Sequence, residues 1–492
     1  MIHISDVNNY LQCKHLYLKT LSSDKPKFQQ FIHKDETLSL IGTRKLGIKE
    51  AFFGQRGDPN EAAFAAMKEF EWLIKARFEY MELRVKIPFM HHNGKAWDIY
   101  FIRNELFPKE DNLMYMTDTL WVLRQLGITL GAIYILHFNS TYQRQGDLDY
   151  DQLLTISEYL YNQNNHPSVH LTDAVTARTR DLTKIIEHMR TLNRESLPPV
   201  KREKKCSGRF QCRFYTECFP EEQNVPDNSI LHLLGCEYKH QMFNDGKLYL
   251  RDSDLDLIEG TRQQYAQIMA DRNNGLFVDK MNLKLWLNDH LTFPLSFLDF
   301  EWDRYGIPPY DQMKPFDVLL FQYSLHVYDH ELRHREFIGL EDCRRELLES
   351  LLNDLPPSGS VIVFNASGGE EIRLRELQVI YPEYSAQIDD IISRMVDFSI
   401  PFNLGMVYHL KMRGSYSLKR IVEVIDDKLS YHNLDIPQAL DAVDGWRKLS
   451  KSISDEEEKK LIADLLAYCA MDTYSLYLIY RWFMELCQME VN

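Results

Sequence analysis

The sequence predicts a mixed α/β chain of two or three domains, and three observations carry that expectation. At 492 residues the chain is too long for one ordinary hydrophobic core. Its 45% hydrophobic and 26% charged residues are the balance of a folded globular protein, not of a disordered one. Helix-spaced and strand-spaced segments alternate along the length, with no internal repeat or low-complexity tract. No apolar run of about 18 residues and no signal-peptide pattern is read, so a cytoplasmic location is expected.

Residues 1–222 make the first expected domain. "EAAFAAMKEFEWLIKARFEY" has helical composition and spacing. "MELRVKIPFM" and "AWDIYFIRNEL" read as strands joined by the turn "HHNGK". "MTDTLWVLRQLGI" reads as a helix ending at Gly127, "TLGAIYILHF" as a buried strand, and residues 153–190 as a helical stretch. A break at Pro198 and Pro199 leads into "VKREKK", read as a solvated linker with a nucleic-acid contact as the alternative. Residues 223–285 are expected to be a helical connector, and residues 286–492 a second mixed domain. Its order is the strand "SFLDFEW", a Pro-rich loop "YGIPPYDQ", the strand "VLLFQYSLHV", the helix "CRRELLESLLNDL", the strand "SVIVFN" and several helices.

The formal charge of −15 argues against tight, sequence-blind nucleic-acid binding over the whole surface, since phosphates need local basic groups. The acids themselves carry more information. Residues two apart on a strand share a face, so Asp299 and Glu301 would sit side by side with Leu298 and Phe300 turned the other way. They are either the wet end of a strand or half of a magnesium or manganese site. The late segment "EEEKKLIADLLAYCAMDTYSLYLIYRWF" reads as one long helix whose apolar stripe is Leu461, Leu465, Tyr468, Asp472, Leu476 and Ile479. Asp472 in that stripe would be costly without a partner, and a cation shared with Asp299 and Glu301 would remove the cost. Tyr468, one turn earlier on the same face, is placed to orient a water.

Three cysteines, Cys206, Cys212 and Cys218, crowd into "KCSGRFQCRFYTEC", each separated by five residues. That spacing does not suit a structural zinc site. Three buried thiols are one reading; the other is a [4Fe–4S] cluster, which needs a fourth thiolate, for which Cys13 is the candidate. Cys236, Cys343, Cys469 and Cys487 are scattered and read as structural.

"ISDVNNYLQCKHLYL" followed far downstream by the cysteine triplet resembles the RecB-type iron–sulfur nucleases, including the CRISPR-associated ones. The resemblance implies a PD-(D/E)XK-like domain with Cys13, Cys206, Cys212 and Cys218 as cluster ligands. The family's Asp, its Glu-x-Lys and its Gln-bearing helix are not found. Phe, Ile and Arg stand in "AWDIYFIRNEL" where acid and lysine should fall, and Trp121 and Val122 stand near the glutamine position. Asp118 and Gly127 remain, while Asp98 and Glu105 lie out of register. This half is therefore expected to keep the fold and the cluster without the catalytic set.

Asp-x-Glu on a first strand with Tyr-x-x-x-Asp on a late helix resembles the tyrosine subclass of DEDD 3′–5′ exonucleases. Residues 291–486 resemble a bacterial family of unknown function, DUF2779, which couples a RecB-like half to a DEDD-like half. The resemblance rests on "FLDFEW", "IPPYDQMKPFDVLLFQYSLHV", "VFNASGGEEIRLREL", "RMVDFSIPF", "RGSYSLK" and "LAYCAMDT". It implies an RNase H-like exonuclease domain. Where the family has Phe-Glu after Asn365, this chain has Gly368 and Gly369, with Glu370 and Glu371 displaced by about one position. Glu370 is favoured, counting back from Leu374, and the alternative is that both acids stabilise a helix N-terminus. Asp397 is a candidate to support the ligands or their loop. Ser415 and Ser417 read as helix caps, and Lys411, Arg413 and Lys419 as phosphate holders.

The leading expectation is a metal-dependent 3′–5′ exonuclease working by two-metal phosphodiester hydrolysis on DNA or RNA. Asp299, Glu301 and Asp472, with Glu370 or Glu371, would hold Mg2+ or Mn2+, and Tyr468 would orient the water. The rival is a catalytically impaired, nuclease-like protein acting as a nucleic-acid-binding or assembly subunit. A protein partner in a nuclease or defence complex is a further expectation; a membrane is not.

Overall fold

The computed structural model describes residues 1–23, 35–193, 195, 197–207, 211–431, 434–436, 438–449 and 454–489. They form two compact units, residues 1–200 with 304–317, and residues 201–303 with 318–492. The division falls at residue 200 rather than 222, so the cysteine triplet belongs to the second unit. The segment 223–285 lies within that unit too, and is not a separate connector. Its strand Leu276–Val278 pairs antiparallel with Val407–His409.

The first unit is built on a mixed sheet in the order Phe52–Phe53, Trp72–Tyr80, Leu83–His92, Trp97–Ile102, Leu130–Phe138, Leu154–Ser157. Trp72–Tyr80, Leu83–His92 and Trp97–Ile102 run antiparallel in succession, whereas Trp97–Ile102 and Leu130–Phe138 are parallel. A parallel pair needs a crossover, and the helix Leu113–Gln125 supplies it. Alternation sets the faces: Leu83, Val85 and Ile87 enter the core while Arg84 and Lys86 point away.

Two expectations change here. The helix Asn60–Glu69 stops at Phe70, and Trp72–Tyr80 is a strand, because its aromatic and apolar residues pair along Leu83–His92. Residues 153–190 are not one helical stretch. They hold the strands Leu154–Ser157, Tyr159–Tyr161 and Pro167–His170 before the helices Leu171–Ala177 and Thr183–Thr191.

The retained acids of this unit serve the fold. Asp118, fully buried, takes two hydrogen bonds from Arg180, one of them Nε to Oδ1 at 2.8 Å. Asp98 accepts from Asn93 Nδ2 at 3.0 Å and from the Ala132 backbone N–H at 2.8 Å. Phe101 lies in the core, and the Arg103 guanidinium sits 4.7 Å from the Tyr115 ring centre. Burial pushes the Glu105 carboxyl above its ordinary range.

"VKREKK" is mostly exposed, as expected of a solvated linker, with Arg202 as the exception. Arg202 is buried, stacks on Phe219 and Phe243, and pairs with Glu221 at 2.8 Å. Lys204 pairs with Glu237, and Lys205 with Glu203 at 2.8 Å.

The second unit holds a five-stranded sheet in the order Leu332–Ile338, Val318–Tyr328, Leu295–Arg304, Ser360–Val363, Met395–Asp397. Leu295–Arg304 is central, parallel to Ser360–Val363, which is parallel to Met395–Asp397. The helix Asp455–Leu486 packs on the sheet. Ser454 caps its start in a reciprocal box with Glu457, and Gln322 Nε2 donates to Leu465 O at 2.9 Å. Contrary to the expected absence of such a run, an 18-residue window of this helix reaches a mean hydropathy of 1.2. Half of that window is buried within the protein, where Leu476, Ile479, Tyr480 and Phe483 build the core.

Candidate metal centre

The strand Leu295–Arg304 turns its even residues, Leu298 and Phe300, into a core with Leu347, Leu348 and Leu351. Its odd residues face the long helix and change character along the strand. Leu295 and Phe297 pack against helix residues such as Tyr477, whose ring lies 5.8 Å from that of Phe297. At the other end Asp303, 2% exposed, is held by Arg447 through Nε at 2.7 Å and Nη2 at 2.5 Å. Between these ends stand Asp299 and Glu301. The hydrogen-bond partner of the Asp299 carboxylate is the Cys469 thiol, with Sγ 3.5 Å from Oδ2.

Glu370 arrives by a turn that explains the two glycines. Asp397 accepts from the backbone N–H groups of Asn365 at 2.9 Å, Ala366 at 3.0 Å and Ser399 at 2.8 Å. Asn365 is left-handed, at φ +65°, and its carbonyl accepts from Gly368 and Gly369, both at 3.0 Å. A Cβ on Gly368 would stand 2.5 Å from Asn365 Nδ2, so a larger residue there would have to push the Asn365 side chain aside. The helix Glu370–Ile380 then starts with Glu370 pointing inward, 3% exposed, its Oε2 buried without a hydrogen-bond partner among the described residues. Glu371, the other expected ligand, pairs with Arg375 at 3.1 Å.

Asp472 completes the group from the long helix. It is 8% exposed, and its Oδ1 accepts from the Tyr431 hydroxyl at 2.7 Å; that hydroxyl lies 3.2 Å from Ser475 Oγ. The Lys419 ammonium lies 4.7 Å from the Tyr431 ring centre and 4.8 Å from that of Tyr468.

The four carboxylates repel one another in a poorly hydrated place. Burial, then the charges of Asp472, Glu370 and Glu301, hold the Asp299 carboxyl well above its ordinary range. Burial and Asp472 do the same to Glu301, against the pull of Lys419. Glu370 is pushed up to about 8, chiefly by burial. Asp472 reaches about 6 by burial, with Tyr431 and Lys419 working the other way. The Tyr468 hydroxyl is raised by burial and by Asp472, Glu301 and Asp299. Such a set fits hard divalent cations: carboxylate oxygens are their donors, and a cation would satisfy the orphaned Glu370 oxygen and relieve the repulsion.

Among the residues tied to this centre, three were not placed here from sequence. Cys469, read as structural, touches Asp299. Its only signal is its place beside Tyr468 and one helical turn before Asp472. Tyr431 lies in an irregular segment and gives no pattern, and Arg447 follows no motif. Of the expected phosphate holders, Lys419 is at the site. Arg413 is bound to Asp227 at 2.8 Å and to Val225 O, and Lys411 is exposed. Ser417 caps the helix Leu418–Ile425, and Ser415 Oγ lies 3.4 Å from Ser417 Oγ.

Residues 296–417 match the family described as Domain of unknown function (DUF2779). The DUF2779 match takes in Asp299, Glu301 and Glu370 and ends at the Ser417 cap, before Lys419, Tyr468 and Asp472. No curated protein and no solved structure matches the chain.

The expected cluster ligands divide between the units. Cys13, half-buried, sits at the break between the helices Ile4–Gln12 and Lys14–Leu21. Cys206, Cys212 and Cys218 are also half-buried, and the Cys212 N–H donates to Cys206 O at 2.9 Å.

Proposed function

We propose that the second unit is a metal-dependent 3′–5′ exonuclease of the DEDD type on an RNase H-like fold, acting on DNA or RNA in the cytoplasm. The observation that carries this reading is the grouping of half-buried Asp299 with the buried Glu301, Glu370 and Asp472, close enough to act on one another's charge. A central strand bearing two of the acids, with the other two on flanking helices, supports the fold reading. A pair of Mg2+ or Mn2+ ions would supply Lewis-acid activation of water and neutralise charge on the departing 3′ oxygen. Asp299, Glu301, Glu370 and Asp472 would hold them. Tyr468, fixed beside Asp472, orients the attacking water, and Lys419 offers its ammonium to the scissile phosphate. The product of such a cut is a nucleoside 5′-monophosphate.

For the first unit we propose a PD-(D/E)XK-like module that binds or organises rather than cuts. Its buried acids already have protein partners, and Phe101 fills core space where a catalytic acid was expected. Separately, on their sequence pattern, Cys13, Cys206, Cys212 and Cys218 are the proposed ligands of a [4Fe–4S] cluster.

The test uses 3′- and 5′-labelled single strands, with Mn2+ or EDTA, beside Asp299→Ala. Shortening that needs Mn2+ and falls by about three orders of magnitude in the variant is expected. Binding without shortening makes the protein the nucleic-acid-binding subunit instead. Iron and sulfide analysis of anaerobically purified protein tests the cluster; stoichiometric zinc in their place overturns it.

A further inference from the structure

We propose that Asp299, Glu301 and Cys469 form a site for a thiophilic divalent cation, zinc foremost, with the Cys469 sulfur as a ligand. One ligand atom from each of these residues lies within 4.8 Å of the others. A carboxylate pair alone suits a hard ion; a sulfur in the set changes the preference, since thiolates select zinc over magnesium. The spacing agrees with that chemistry. Tetrahedral zinc, with Zn–S of about 2.3 Å and Zn–O of about 2.1 Å, sets sulfur and oxygen about 3.6 Å apart. Cys469 Sγ stands 3.5 Å from Asp299 Oδ2. A second observation is independent of the sulfur. Among the described residues the buried Glu370 Oε2 has no hydrogen-bond partner, and Glu370 is close enough to act electrostatically on both Asp299 and Glu301. Glu370 lies outside the three-residue set, and its orphaned oxygen is a neighbouring acceptor whose charge an ion held there would offset.

On coordination the Cys469 proton leaves to solvent and the sulfur becomes the anionic ligand. The proposal rests on the reading of Asp299 and Glu301 as cation-binding groups, and adds a second class of ion that occupies the same oxygens. Zinc would therefore displace the hard ion and stop hydrolysis.

The test is zinc-edge X-ray absorption of the full chain loaded with one equivalent of Zn2+, unmutated and as Cys469→Ser. One sulfur at about 2.3 Å among oxygens is expected, lost in the variant together with at least about a tenfold fall in zinc affinity. An oxygen-only shell, or the all-sulfur shell of zinc taken by the cysteine triplet, overturns the proposal. Should Cys469→Ser fold poorly, Cys469→Ala serves in its place, and the shell of the unmutated chain decides by itself. Mn2+ binding followed by electron paramagnetic resonance separates the two readings. Absent Mn2+ binding with a one-sulfur zinc shell defeats the hydrolase alone; Mn2+ binding with an oxygen-only zinc shell defeats this site alone.

Discussion

Each unit buries acids, but on opposite terms. In the first, Asp118 has Arg180, and Asp98 has Asn93 and the Ala132 N–H. In the second, Asp303 has Arg447, yet four residues along the strand Asp299 has, among the described residues, only a thiol, and Glu370 Oε2 has no hydrogen-bond partner among them. Desolvation is tolerated when an opposite charge or donor comes from the protein itself. Where it does not, the missing partner is the informative feature. The contrast separates acids that build from acids that wait for a cation, and it can be attacked from either side.

The largest expected effect is on how stability responds to pH without metal. Glu370 rises from its ordinary 4.5 to about 8, and Asp472 from 3.8 to about 6. Between roughly pH 4 and 8 the folded chain thus binds more protons at these groups than the unfolded chain does, so their contribution to stability falls as pH rises. In EDTA, Glu370→Gln is therefore expected to melt progressively higher than the unmutated chain from pH 5 to pH 8. Saturating Mn2+ should reverse the order at pH 8. A stability difference in EDTA that stays flat across this range would place Glu370 outside the repelling group.

Next comes the opposite case. Arg180→Ala leaves the buried Asp118 carboxylate without its partner and should cost roughly 3 kcal/mol in urea unfolding. Asp299→Asn, which deletes a repelling charge, should stabilise the metal-free protein. If both substitutions destabilise alike, the two kinds of acid are not different in kind.

A smaller effect belongs to Tyr431, which holds one oxygen of Asp472 and leaves the other for a cation. Tyr431→Phe should weaken Mn2+ binding about tenfold, as loss of a group that orients a ligand commonly does. Paramagnetic titration measures it, and unchanged affinity would make the contact incidental.

Periodicity explains what could be read in advance. Asp299 and Glu301 share a face by the strand's period of two, which suits a wet strand end as well as a metal site, whereas Asp472 interrupts an apolar stripe of helical period and so conveys burial before any coordinates. Tyr431 lies 41 residues from its partner in irregular chain, where no period operates. The strand Trp72–Tyr80 was hidden because its residues also space acceptably as a helix, and only pairing with Leu83–His92 decides. Short strands such as Leu154–Ser157 carry too few residues to show alternation at all. The Gly368-Gly369 step looked like damage to a motif. Its left-handed neighbour Asn365 makes it a tight turn that aims Glu370 inward.

That turn supports the smallest and most discriminating prediction. Glu370 and Glu371 are neighbours of one type at one helix start, and only the turn divides their roles. Glu371 makes an exposed pair with Arg375 four residues on, worth at most about 0.5 kcal/mol. Glu371→Gln should therefore shift urea unfolding by no more than that and leave Mn2+ affinity unchanged, while Glu370→Gln weakens Mn2+ binding severely. Equal losses from the two would mean that the loop Asn365–Gly369 turns differently in the working protein. The third acid would then have to be sought again.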